Sequence, residues 1–175
     1  DEDDSMSQRE SDFRGGIQNG TTAFDENSRR LDVYLKENYT SLRSVFNEFT
    51  SVSVFTKRMK MELVGDDCFG FAPDGGAWFY DGKLVAVFEA KKQGEQGNAY
   101  ERWWDNAVTA KHINPDVRYV TFCTGPGAAE DKCLDKLRRK AKIMMGDKFI
   151  TYCKVEPFSK REVLEIMIQT LEECK

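Results

Sequence analysis

At 175 residues with 40% hydrophobic and 12% aromatic residues, the chain has the length and composition of one globular domain, and no apolar run approaches the about 18 residues that a membrane helix needs. The five cysteines are odd in number and widely spaced, and His112 is the single histidine. Zinc fingers, histidine triads and disulfide scaffolds are therefore disfavoured, and a reducing, cytoplasmic setting fits the thiols. The net charge of −4 argues against a nucleic-acid partner only until its distribution is read: residues 1–12 hold six acids against Arg9, a local −5, which leaves +1 for residues 13–175.

Residues 1–12 read as an acidic, disordered tail ahead of a single domain over 13–175, and a start at Asp1 without methionine reads as a fragment or processed chain. "ENSRRLDVYLKENY" and "TSLRSVFNEFTS" place apolar residues at three- and four-residue spacings and predict two helices. "VSVFTKRMKMELV" opens with β-branched residues that favour a strand. A hairpin follows in "PDGGAWFYDGKLVAVFEAKK", then a helix in "GNAYERWWDNAVTAKHI", where Trp103 and Trp104 are expected to pack on the sheet. "VRYVTFCTG" reads as a strand, "AAEDKCLDKLRRKAKIMMG" as a helix, "KFITYCKV" as a strand and "SKREVLEIMIQTLEEC" as a closing helix. Alternating strands and helices predict an α/β fold with a central mixed sheet flanked by helices.

The hairpin carries charges where a core strand should carry none. Asp81-Gly82 predicts a two-residue type I′ turn, in which both residues take positive φ. Counting outward from it without a bulge pairs Tyr80 with Lys83, Trp78 with Val85, Gly76 with Val87 and Asp74 with Glu89, and the two-residue period adds Lys91 to the face of Asp74 and Glu89. Ala77, Phe79, Leu84, Ala86, Phe88 and Ala90 then share the other face. Two adjoining carboxylates repel unless a cation or a shared proton relieves them. Oxygen ligands suit Mg²⁺, with Mn²⁺ as a substitute, and a neighbouring lysine can orient or deprotonate water beside a phosphate. A second copy of the same lettering, Pro115-Asp116 followed by Glu130-Asp131-Lys132, lacks an apolar strand to hold its charges.

With the next segment included, the pattern "PDGG…VFEAKKQG…GNAYERWWDN" resembles the type II restriction endonucleases of the EcoRI and MunI kind, within the PD-(D/E)xK nuclease superfamily. The close resemblance covers residues 73–106, with a fainter echo in "CLDKLRRK". It implies a restriction-endonuclease-like fold, Asp74 and Glu89 as ligands of Mg²⁺, and Lys91 as the residue assisting water. It further implies that Asn98 and Arg102 contact bases of an AATT-like core, with Gly97 and Ala99 allowing close approach. The basic cluster around "LRRKAK", which includes Lys136 and Arg139, reads either as a solvated face or as contacts to the DNA backbone. The expected partner is double-stranded DNA, bound at a palindrome by a homodimer. Competing expectations are a non-sequence-specific or structure-specific DNA-processing nuclease on the same core, and a catalytically silent DNA-binding protein. Only Glu95 and Gln96 separate "EAKKQG" from "GNA", where family members can carry a long insertion.

Overall fold

The computed structural model describes residues 26–41, 73, 75–93, 100–130 and 132–175. The acidic segment 1–12, the expected strand near residue 52 and all but the start of the second expected helix lie outside them. The described elements are α1 (Glu26–Asn38), β1 (Thr40–Ser41), β2 (Ala77–Tyr80), β3 (Lys83–Lys92), α2 (Glu101–Ile113), β4 (Arg118–Thr124), α3 (Pro126–Glu130), α4 (Lys132–Met145), a 3₁₀ turn at Gly146–Lys148, β5 (Phe149–Cys153) and α5 (Lys160–Glu173). Thr40 and Ser41, expected to begin a helix, instead pair with Phe79 and Trp78 along the outer edge of β2. Pairing satisfies backbone groups on β2 that would otherwise face outward, which outweighs the weak helix preference of a Thr-Ser pair.

Among the described residues, the sheet has five strands in the order β1-β2-β3-β4-β5. β1, β2 and β3 pair antiparallel, while β3-β4 and β4-β5 are parallel. The fold is thus α/β with a mixed sheet flanked by helices. Parallel neighbours need crossover connections, and α2 and α4 supply them. Both lie on one face of the sheet, where Trp103, Ala107, Ala110, Leu134, Leu137 and Met145 join Ala77, Phe79, Leu84, Val87 and Tyr119. On the opposite face, Leu35 of α1 and Val163, Leu164, Met167 and Leu171 of α5 pack on Trp78, Phe88, Val120 and Phe122. A full capping box at Ser159 and Glu162 starts α5.

The hairpin forms with its turn at the expected residues: Asp81 has φ 51° and Gly82 φ 74°, and Tyr80 pairs with Lys83. The register beyond differs from the simple count. Phe79 pairs with Leu84 but Trp78 pairs with Ala86, and Ala77 with Val87, so β3 carries one extra residue at Val85. This bulge corrects the expected facing of Trp78 by Val85 and of Gly76 by Val87. It also splits the apolar set predicted for one face, since Ala77, Phe79 and Leu84 face α2 with Val87, whereas Ala86, Phe88 and Ala90 face α5. The physical reason is that an extra residue reverses the side-chain alternation of everything after it. A second irregularity follows, because Gly75 donates to the Phe88 carbonyl at 2.8 Å and the Gly76 carbonyl accepts from Phe88 at 3.1 Å. Two residues on that side therefore serve one on β3. The Trp78 indole donates to the Gly75 carbonyl at 3.0 Å and holds the irregularity in place.

Candidate active site

β3 is apolar along most of its length, and its carboxyl end is where chemistry-bearing side chains emerge. Glu89 is 1% exposed, and Lys91, two residues further and on the same face, is half-buried. A buried carboxylate is costly unless hydrogen bonds and positive partners replace its water. One such bond is visible: Asn106 Nδ2 of α2 donates to Glu89 Oε1 at 2.9 Å. Asn106 was not singled out from sequence. The signal was present, because Trp103, Ala107 and Ala110 mark the sheet-facing stripe of α2 and residue 106 sits three from Trp103 and four from Ala110. An amide in that stripe needs a polar partner in the sheet, and Glu89 is it.

Parallel register extends this corner across the sheet. Glu89 stands against Thr121 and then Thr151, and Lys91 against Cys123 and then Cys153. Registered positions in parallel strands share a face, so these two rows run beneath α2 and α4 at the carboxyl ends of the strands. In open α/β sheets that edge is where ligands bind. The edge is fastened by backbone bonds: Gln93 donates to the Thr124 carbonyl at 2.8 Å, and Gly127 donates to the Gln93 carbonyl at 3.0 Å. Gly125 has φ +91°, and a Cβ there would stand 2.3 Å from the Gln93 carbonyl oxygen, so only glycine permits this approach.

Of the expected site residues, the structure brings Glu89 and Lys91 together on one face. Asp74, Gly97, Asn98 and Ala99 lie outside the described residues, as does the side chain of Arg102, whose backbone is in the first turn of α2. Lys136 and Arg139 are exposed on α4, on the side away from the buried Leu134, Leu137, Ala141 and Met145. Trp103 is buried against the sheet as expected, and Trp104 is half-buried with the Lys140 ammonium 5.8 Å from its ring centre. The second Asp-Glu-Lys lettering is scattered. Asp116 is exposed in the turn before β4, where the Lys148 ammonium 2.6 Å away holds its carboxyl below the usual range. Lys132 begins α4, beyond the far end of the same strand.

Among the described residues, no cluster of three His, Cys, Asp or Glu side chains could hold a metal ion, and no helix is long and apolar enough to cross a membrane. No family profile, curated protein or solved structure matched the chain.

Proposed function

We propose that the chain is a divalent-metal-dependent endonuclease that hydrolyses phosphodiester bonds of double-stranded DNA, with a restriction-endonuclease-like fold and a palindromic target containing an AATT-like core. The observation that carries this reading is the pairing of a buried carboxylate, oriented by Asn106, with a lysine two residues later at the carboxyl edge of a mixed sheet. Core packing alone does not call for Glu89 in an otherwise apolar strand.

Glu89 and Asp74 would hold the cation. The two one-residue offsets of the hairpin, at Val85 on β3 and at Gly75-Gly76 on the other side, have opposite sense. The facing of Asp74 and Glu89 stays the sequence expectation within the proposal. The donor chemistry fits Mg²⁺ or Mn²⁺: a carboxylate is a hard oxygen ligand, and Mg²⁺ keeps several waters, taking one or two carboxylates plus phosphate oxygens rather than a closed protein cage. A cation bound there supplies charge neutralisation at the scissile phosphate.

Lys91 orients the attacking water and takes its proton or stabilises the charge that develops on phosphorus. The new bond joins the water oxygen to phosphorus, and the bond to the 3′ oxygen breaks, leaving a 5′-phosphate and a 3′-hydroxyl. Asn98, ahead of α2 in the chain, and Arg102, in its first turn, would read base edges, with Gly97 and Ala99 keeping that approach open. Lys136 and Arg139 would contact backbone phosphates, which fix register without reading sequence. A homodimer would place one such site on each strand.

Incubating supercoiled plasmid with the protein and Mg²⁺, beside Lys91→Ala, tests the reading. Cleavage by the native chain and loss in the variant support it, and equal activity or none in the native chain rejects it. Sequencing the ends separates a palindromic specificity from a nuclease that cuts by structure or without sequence preference. Tight DNA binding in Ca²⁺ without cleavage in Mg²⁺ or Mn²⁺ would identify a catalytically silent binding protein.

A further inference from the structure

The row that begins at Lys91 continues through two thiols. Cys123 of β4 and Cys153 of β5 are register partners in adjacent parallel strands, and both carry free thiols. Cys123 is completely buried within the core beneath α2 and α4, whereas Cys153 is exposed. Paired strands lie about 4.8 Å apart, inside the about 4.4–6.8 Å that a disulfide spans between Cα atoms, and registered side chains point the same way. From α4, Arg138 places Nη2 2.7 Å from Cys153 Sγ, while its Nη1 lies 3.6 Å from Asp135. Arg138 therefore differs from the solvent-facing Lys136, Arg139, Lys140 and Lys142 of the same helix: it turns its guanidinium to the sheet edge.

We propose that Cys123 and Cys153 form a peroxide-reactive dithiol, with Cys153 the attacking sulfur, Arg138 the group that stabilises its thiolate, and Cys123 the resolving thiol. The chemistry needs an accessible thiolate beside a cation, with a second thiol within bonding reach. The charge distribution between the sulfurs agrees. A hydrogen bond from Cys123 and the nearby Arg138 bring Cys153 down to about 7 against the burial that opposes them. The same bond and burial push Cys123 up, so the shared proton stays on the buried sulfur.

Cys153 thiolate attacks one oxygen of hydrogen peroxide, the O–O bond breaks, and hydroxide leaves and is protonated to water. Cys123 sulfur then attacks the sulfenic sulfur of Cys153, and the S–O bond breaks. The departing hydroxide takes the Cys123 proton as a second water. Two electrons pass from the sulfurs to the peroxide, and a disulfide joins β4 to β5. The inference stands on the sheet register and the Arg138 contact and does not depend on the nuclease reading.

The test is to treat the folded 175-residue chain with equimolar hydrogen peroxide at neutral pH, block remaining thiols, digest with trypsin without reduction, and map crosslinks by mass spectrometry. The expected product joins peptide 119–132, which contains Cys123, to peptide 149–154, which contains Cys153, and dithiothreitol reverses it. Cys123→Ser is expected to stop the reaction at a Cys153 sulfenic acid that dimedone traps, and Arg138→Met to slow crosslinking severalfold. Unmodified thiols, oxidation of Cys153 straight to sulfinic acid in the native chain, or preferential crosslinks to Cys68, Cys133 or Cys174 would overturn the proposal. The native chain alone decides the outcome, so a variant that fails to fold does not blunt the test.

Discussion

The two faces of the sheet are built from alternate residues of the same strands, yet they have different characters. Toward α1 and α5, the strands present Trp78, Phe88, Ala90, Val120 and Phe122 as a continuous apolar surface, with Phe122 stacked on Tyr152 and met edge-on by Phe158. Toward α2 and α4, the surface begins equally apolar with Leu84, Val87 and Tyr119, then changes along the strands to Glu89 and Thr121, and finally to Lys91, Cys123 and Cys153 at the carboxyl edge. The face toward α1 and α5 stays apolar until Lys92 and Thr124 at the same edge. The other is graded: it turns polar earlier, at the buried Glu89 and Thr121, so its polar groups need partners such as Asn106 within the fold.

Exchanging a residue on each face separates the two roles. Lys91→Ala is expected to lower plasmid cleavage by about 10²–10⁴-fold while leaving the thermal midpoint close to that of the native chain. Its neighbour on the other face, Phe88→Ala, is expected to cost about 3–5 kcal/mol in urea unfolding. If Lys91→Ala unfolded the protein and Phe88→Ala did not, the division between faces would be wrong.

A smaller effect lies where the graded face meets α2. Asn106→Ala removes a hydrogen bond to a buried carboxylate, a loss of about 1.5–3 kcal/mol. Combining it with Glu89→Gln is expected to cost less than the sum of the single changes, because both act on one bond. Strict additivity would remove Asn106 from the site.

At the outer edge, the alkylation rate of Cys153 is expected to rise with pH through a midpoint near 7. The sign follows from the thiolate being the nucleophile and from Cys123 and Arg138 favouring it over burial and Asp135. Arg138→Met should move that midpoint upward, and a downward or absent shift would contradict the contact. The smallest effect is expected on the solvent side of α4, where Lys136→Ala and Arg139→Ala should each weaken DNA binding uniformly across sequences and reduce its salt slope by about 0.9.

Much of the described fold was legible in the chain. The Asp81-Gly82 turn, the apolar stripe of α2, the strands at 118–124 and 149–153 and the last helix follow from turn chemistry and hydrophobic periods that act over a few residues. The bulge at Val85 was not legible, because "KLVAVFEA" is apolar on both faces and a doubly buried strand carries no alternation from which to detect a slip. The helical reading of Thr40 and Ser41 failed for a related reason: the edge of β2 that they cover is remote in sequence.

By itself, the sequence determined that Glu89 and Lys91 share a face, since a strand's period is fixed by its backbone. Only the tertiary structure decided that Asn106 meets Glu89, and that Lys91, Cys123 and Cys153 stand in one row with Arg138 beside the last. Those neighbours are separated by tens of residues along the chain, and parallel register is set by the packing of the crossover helices rather than by any local signal.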